Sequence, residues 1–513
     1  MPIQNRREFL KFIGATCTLP IISKNLFASG SSPIQIPSIE STFKDDLILA
    51  QGFTYSPLIS WNENISAFDK FGFNCDYTAF IPLSSNNAIF WTNHEYVNPL
   101  FIHGNIDQEK TKIQVQEEMY NMGGSLIEIY RENKNTDWKI KPNSSFNRRI
   151  TALTEIPFAN NVEVKNQKST IGMVANCAGG VTPWGTILTC EENFDSFHGE
   201  RTKDGLKKAG SYQWEKYFDF PPEHYGWVVE VDPMTGEAKK HTSLGRFCHE
   251  CATTTYDYFG NLVVYSGDDT EDEFLYKFIS TNKKSLDVGT LYVANIEKGE
   301  WISLDINSSK KLKNKFKNQL DVLINCREAG KIVGATALDR PEDIEIHPIT
   351  GDVYVCLSNN KPKGNYHGSI LKISESKKDP LKFDSETFIP GGKDFSCPDN
   401  LTFDRNGNIW LCCDISGKNI GQFEYKKFGN NGLYFIPTRG DNAGEVFQIA
   451  SAPKDAEFTG VTLSPDQKTL FLSVQHPGEL SKSIGKLTSN WPSNKPGTIP
   501  KPTVVQIKGP LLQ

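Results

Sequence analysis

The stretch Cys190-Glu191-Glu192-Asn193 closes a short apolar run with a thiol and two adjacent carboxylates, and no basic residue lies within several positions. Side-by-side carboxylates repel unless a cation sits between or above them. Similar polar clusters punctuate the chain: Asn93-His94-Glu95, His249-Glu250, Asp268-Asp269, Arg340-Pro341-Glu342-Asp343 and Pro398-Asp399-Asn400. Together they hold many carboxylates, one arginine and one thiol. Oxygen-rich ligand sets favour hard cations such as Ca²⁺. A thiolate among them does not suit calcium and points to a transition metal, iron foremost. The residue types therefore predict a mixed metal site, softer at Cys190 and harder around it.

Competing chemistries find no support. There is no G-x-S-x-G elbow, Walker loop, G-x-G-x-x-G or H-E-x-x-H. The C-x-x-C of Cys248 to Cys251 lacks the second pair a structural zinc needs. His94 and His249 read as hydrogen-bonded core residues, and "DRNGN" reads as a hairpin turn.

Residues so far apart can share a site only if repeated elements bring them together. Six segments have one grammar: a polar lead-in, an alternating apolar strand, a turn, a second strand and a polar run-out. They are "FNCDYTAFIPLSSNNAIFWTNHEY", "NCAGGVTPWGTILTCEEN", "CHECATTTYDYFGNLVVYSGDD", "RPEDIEIHPITGDVYVCLSNN", "CPDNLTFDRNGNIWLCCD" and "EFTGVTLSPDQKTLFLSVQHPGE". Period-2 alternation argues for strands, and the Gly, Asn and Asp of the turns supply positive φ. Six such hairpins separated by strand-bearing inserts predict an all-β fold, a six-bladed β-propeller with loop and short helical insertions. A seventh blade anchored on "SLIEIYRENKNTDWKI" and a pair of β-sandwiches are the alternatives. In the propeller, lead-ins and run-outs gather at one mouth of the central channel. Residues 101–122 and 307–328 read as partly helical inserts, and residues 200–226 as a charged, aromatic flap.

The bulk properties agree with a soluble globular protein. Of 513 residues, 38% are hydrophobic and 23% charged, and the formal net charge of −6 leaves no nucleic-acid footprint. The eleven cysteines are too dilute, and odd in number, for a disulfide scaffold. At the N-terminus, "NRREFLKFIGATCTLPII" sets Arg6-Arg7 before an apolar run that is too short to span a membrane and is broken by Pro20. This is the pattern of a twin-arginine export signal, with Asn5 where Ser or Thr is commoner and cleavage expected near residues 28–31. That route carries folded proteins, often with a cofactor already inserted. The expected organisation is a signal over residues 1–30 and one catalytic domain over 31–513.

From "NCAGGVTPWGTILTCEENF" through "YGWVVEVDPMTGE", "LGRFCHECA", "YSGDD", "RPEDIEIHP" and "PDNLTFDRNGNIWLC" to "FTGVTLSPDQKTLFLSVQHPGE", the chain resembles the PhoX-type alkaline phosphatases. The resemblance spans nearly the whole mature chain in the same order. It implies an exported, monomeric phosphomonoesterase acting on small phosphoesters, with some diesters as an open extension, in the periplasm or released. It would need the twin-arginine translocase as its export partner, no nucleic acid and no membrane anchor. It also implies two ferric ions and up to three calcium ions, which bind phosphate and supply the nucleophile. Carried over by position, Cys190, Glu250 and Glu342 would be the principal iron ligands. Glu95, Glu191, Glu192 and Asp399 would complete the cluster mostly at calcium, with Asp268 and Asp269 in its shell. Arg340 would hold the phosphate with Asn176 as a helper, its planar fork suiting two phosphate oxygens. Phosphoryl transfer needs neutralised charge more than a special side chain. On the residues alone, a calcium-dependent lactonase or arylesterase and a non-catalytic binding propeller with structural calcium remain open.

Overall fold

Each of the six hairpins forms, and each is the inner half of an antiparallel sheet of four or five strands. The computed structural model describes residues 36–104, 109–202 and 204–512, so the expected export signal lies outside the described residues. The first blade comprises Cys75–Pro82, Asn87–His94, Gly123–Tyr130 and Lys139–Ile140, with Arg148–Ile150 also paired to its third strand. "SLIEIY" is therefore the third strand of that blade and anchors no seventh one. The second blade runs Asn176–Val181, Ile187–Glu191, Val228–Val231 and Ala238–His241. The third comprises Thr253–Tyr256, Leu262–Gly267, Leu275–Ser280, Gly289–Asn295 and Glu300–Ser303. The fourth comprises Pro341–Ile346, Val353–Leu357, Ser369–Glu375 and Phe383–Pro390. The fifth is Pro398–Phe403, Ile409–Cys413, Gly432–Ile436 and Phe447–Ser451, edged by Ile48–Leu49.

The sixth blade closes the ring. Its inner strands, Glu457–Leu463 and Leu470–Gln475, pair outward to Thr503–Lys508, whose outer neighbour is the early strand Thr54–Ser60. An early strand and the last strand among the described residues thus share one sheet. Gln506 ties that blade to the first by hydrogen bonds to both backbone groups of Trp138. Each innermost strand packs on the next around the ring, including the sixth on the first.

Apolar layers between blades hold the ring together. Leu188, Cys190 and Val228 of the second blade pack with Leu262, Val264, Tyr276 and Phe278 of the third. Ile187, Val229 and Val231, on the opposite face of the second blade, pack with Ile89, Trp91 and Leu126 of the first. Strand alternation sends consecutive side chains to these two layers. The largest buried rings include Trp91, Trp227 and Trp410, and each such side chain removed from water contributes roughly 2–3 kcal/mol.

Antiparallel order fixes where the inserts go. The innermost strand leaves the mouth and the second returns to it, so every connection from second to third strand starts at the mouth. These connections carry the helices Pro99–His103 and Lys112–Asn121, the latter with a Thr111/Gln114 capping box, and the aromatic flap over 195–226. The helices Lys310–Lys315, Gln319–Ile324 and Cys326–Val333 link the third and fourth blades. No helix among the described residues is long and apolar enough to cross a membrane.

Candidate metal and anion site

A register irregularity repeats at the mouth of every blade. In the innermost hairpins Cys75 pairs with His94 and Asn176 with Glu191. Pro341 likewise pairs with Leu357 and Pro398 with Cys413. In each of these the next paired residue comes three positions on in one strand and two back in the other. His249 and Asp268 form the equivalent bridge in the third blade, and Thr459 and Ser473 precede the same shift in the sixth. One residue is bulged out each time, which bends the strand and re-aims its side chain. In four blades the residue just before the first pair has left-handed backbone: Asn74, Ala175, Arg340 and Cys397, with φ of 52°, 49°, 55° and 52°. Arg340's unusual backbone is thus part of a shared lead-in.

The residues released by the bulges are Asp76, Cys177, Glu250, Glu342 and Asp399. With Glu95 and Glu192 they form three overlapping groups: Asp76, Glu95 and Cys177; Cys177, Glu192 and Glu250; Glu250, Glu342 and Asp399. Within each group the ligand atoms lie within 4.8 Å of one another, and all seven side chains are buried. Cys177 Sγ is 3.2 Å from Glu250 Oε1. Gln475 Nε2 donates to Asp76 Oδ2 at 2.8 Å and to Glu95 Oε2 at 2.7 Å. The sixth blade offers Gly460 at the bulge, with φ of 56° and no side chain. Its missing Cβ leaves room for the Asp76 carbonyl.

Most of these groups line a cavity of about 820 Å³, together with Tyr96, Asn98, Asn193, Tyr212, Asn359 and Lys361. Arg340 lines it as well. Its Nη2 donates to Asp269 Oδ2 at 2.6 Å and lies 3.1 Å from Glu342 Oε1, while Nη1 donates to Ser358 Oγ at 3.2 Å.

The electrostatics demand further cations. Burial, then repulsion from neighbouring acids (Asp269 and Glu95 for Glu192, Glu192 and Glu342 for Glu250), holds the carboxyls of Glu192 and Glu250 well above the usual range. Burial also raises the Cys177 thiol, reinforced by Asp76 and Glu250. Asp76 Oδ1, Glu250 Oε2 and Asp269 Oδ1 are buried with no hydrogen-bond partner. Buried carboxylates without donors are stable as anions only beside a cation. A thiol flanked by bare carboxylate oxygens therefore fits a metal cluster.

The structure brings Glu95, Glu192, Glu250, Glu342, Asp399, Asp269 and Arg340 to this mouth as expected. Four others it places elsewhere. Cys190 has its side chain in the apolar layer against the third blade, and burial raises its thiol strongly. Glu191 points to the opposite side, accepting from the backbone of Val174, Gly226 and Trp227 and pairing with Lys240 at 2.7 Å. Both belong to the strand proper, so alternation fixes their directions, and only Glu192, beyond its end, turns into the mouth. Asp268 is likewise the paired residue and faces Arg327, whereas Asp269 faces the cavity. Asn176 is fully buried and donates to Thr189 Oγ1, behind the mouth; Asn193 is the asparagine that lines it. His94 and His249 are hydrogen-bonded core residues, to Phe73 O and Ser125, and to Ser266 and Gly245 O.

Asp76 and Cys177 are the residues the sequence reading missed. Aligning the hairpins on their lead-ins would have found them. Cys75-Asp76, Asn176-Cys177, His249-Glu250, Pro341-Glu342 and Pro398-Asp399 then fall in one column. The ten described cysteines are all buried and free.

The family model described as "Alkaline phosphatase PhoX" matches residues 34–478. Among solved structures, the chain is similar to Pseudomonas fluorescens PhoX in complex with vanadate, a transition state analogue. The two share 29% identity over 92% of this chain and 97% of that one, with a TM-score of 0.81. Looser likenesses include a Dyadobacter fermentans protein of unknown function, at 11% identity over 90% and 100% of the two chains and a TM-score of 0.40. Another is the Pseudomonas aeruginosa periplasmic gluconolactonase, at 11% identity over 62% and 74% with a TM-score of 0.32. No curated protein sequence matches the chain.

Proposed function

This chain belongs to the PhoX alkaline phosphatase family and hydrolyses phosphoesters, and we propose that it does so at the channel mouth, on monoesters bound between Arg340 and a metal cluster. The observation that carries this reading is the shared register. Five blades each place one ligand-type side chain at the same bulge position; Cys177, Glu250, Glu342 and Asp399 line one cavity beside a guanidinium, and Asp76 joins them through the group it forms with Glu95 and Cys177.

The two groups that share Cys177 offer sulfur with carboxylate oxygen, a set suited to iron. Glu250, Glu342 and Asp399 offer oxygen alone, a set suited to calcium. Two ferric and up to three calcium ions is the complement proposed. Bound cations would supply Lewis-acid charge to the phosphoryl oxygens.

The chain's own residues do the positioning. Asp269 and Glu342 hold one Nη of Arg340 and Ser358 the other, fixing the guanidinium plane so that its free N–H groups can meet a phosphate. Asn193, which lines the same cavity, is the amide donor proposed for the same anion. The acids around Cys177 reject an unescorted phosphate, so affinity for the anion depends on the cations they hold. Tyr96 and Tyr212 form an aromatic wall for the leaving group, and the cavity volume leaves room for one larger than a methyl ester. Export by the twin-arginine route to the periplasm or beyond, as a monomer, completes the proposal, in keeping with Arg6-Arg7.

The test is metal analysis of protein purified without chelator, paired with p-nitrophenyl phosphate hydrolysis at alkaline pH before and after EDTA. Iron and calcium should both be present, and EDTA should abolish turnover. Arg340→Ala should lower kcat/KM by about 10²-fold or more, with KM raised and metals and fold retained. Protein without iron, or a fully active Arg340→Ala, overturns the reading.

A further inference from the structure

Arg327 lies outside the cavity, on the helix Cys326–Val333 that links the third and fourth blades. Its guanidinium grips the fully buried Asp268 with two parallel bonds, Nε to Oδ2 at 2.8 Å and Nη2 to Oδ1 at 2.6 Å. Nη2 also donates to Thr270 Oγ1 at 2.8 Å. The residue between these two anchors is Asp269, which accepts from Arg340 Nη2. The backbone of the same turn is fixed by Asp268 N–H to Phe274 O and Asp269 N–H to Cys248 O. A second ion pair, Lys331 with Glu273, holds the helix against the far end of the turn.

We propose that Arg327 is a positioning residue for phosphate binding: through Asp268 and Thr270 it fixes Asp269, and through Asp269 it sets the plane of the Arg340 guanidinium. The inference rests on the reading of Arg340 as the phosphate holder. Its physical basis is the cost of leaving a buried carboxylate unpaired. Without Arg327, Asp268 must take up a proton or turn outward, and either change releases the turn that carries Asp269. Lysine can restore the charge but cannot bridge both carboxylate oxygens and Thr270 at once.

The experiment is a double-mutant cycle on the metal-replete enzyme, with p-nitrophenyl phosphate as substrate and iron and calcium content and melting temperature measured for every variant. Arg327→Gln should raise KM about 10-fold or more with kcat changed less than threefold and metal content unchanged. Arg327→Lys should recover part of that loss. In an Asp269→Asn background, Arg327→Gln should add little, because the two act in series. A KM within twofold of wild type for folded Arg327→Gln overturns the proposal. So does a loss that multiplies in full on Asp269→Asn, or one that follows metal loss or unfolding. Arg340→Ala serves as the control: if its KM is unchanged, the reading of Arg340 fails. If its KM rises while Arg327→Gln stays normal, only the present inference fails.

Discussion

Cys177 and Cys190 carry the same side chain into opposite surroundings, carboxylate oxygens for one and aliphatic carbons for the other. Substituting each in turn separates the two roles. Cys177→Ser should strip iron and lower phosphatase activity by about 10²-fold or more, with little change in melting of the metal-free protein. Cys190→Ser should keep metals and activity in the folded fraction but lose about 1–3 kcal/mol, because its hydroxyl would be buried without a partner. Metal analysis, denaturant titration and turnover on both variants give the answer. The opposite pattern would return the thiol ligand to Cys190.

The element that builds the site is the bulged inner hairpin, used six times and furnished differently each time. Five copies present an acid or a thiol, and the sixth presents Gly460, against the Asp76 carbonyl of the neighbouring blade. A methyl group there meets both a backbone clash and a left-handed φ. Gly460→Ala should therefore cost roughly 1–3 kcal/mol. It should also push Asp76 off its group, lowering metal content alongside the melting temperature. Metals at full occupancy in a Gly460→Ala protein would show that Asp76 is not a ligand. The period-2 pattern and turn chemistry made these hairpins legible in the sequence. The bulge was not legible as such, because it leaves the apolar alternation intact and changes only which polar lead-in residue faces the channel.

At the scale of the whole molecule, the fold buries histidines in their neutral form, His94 at a strand end and His198 and His224 in the flap over 195–226. Burial pushes His224 down to about 4, where it is held by Thr170 Oγ1 and the Val164 carbonyl. Burial lowers His94 and His198 as well. An unfolded histidine titrates near ~6.5. Between that pH and about 4 the unfolded chain binds more protons at this position than the folded one, so the contribution of His224 to stability falls as pH is lowered through this window and is full above it. From about pH 7 to 5 the melting temperature of wild type should fall relative to that of His224→Gln by a few degrees. An equal slope in the two proteins would remove His224 from the account.

The sequence by itself determined the repeat, the class of fold and the kind of chemistry. Hydrophobic period, turn residues and ligand types are local properties, and "CEEN", "RPED" and "CPDN" carry them openly. Which of two neighbours faces the channel was decided only in three dimensions. Strand alternation and a one-residue bulge sent Glu192 in and Glu191 aside, Asp269 in and Asp268 to Arg327, and Cys177 rather than Cys190 to the acids. A one-residue change of register flips a side chain to the other face, and only the pairing of the strands fixes that register.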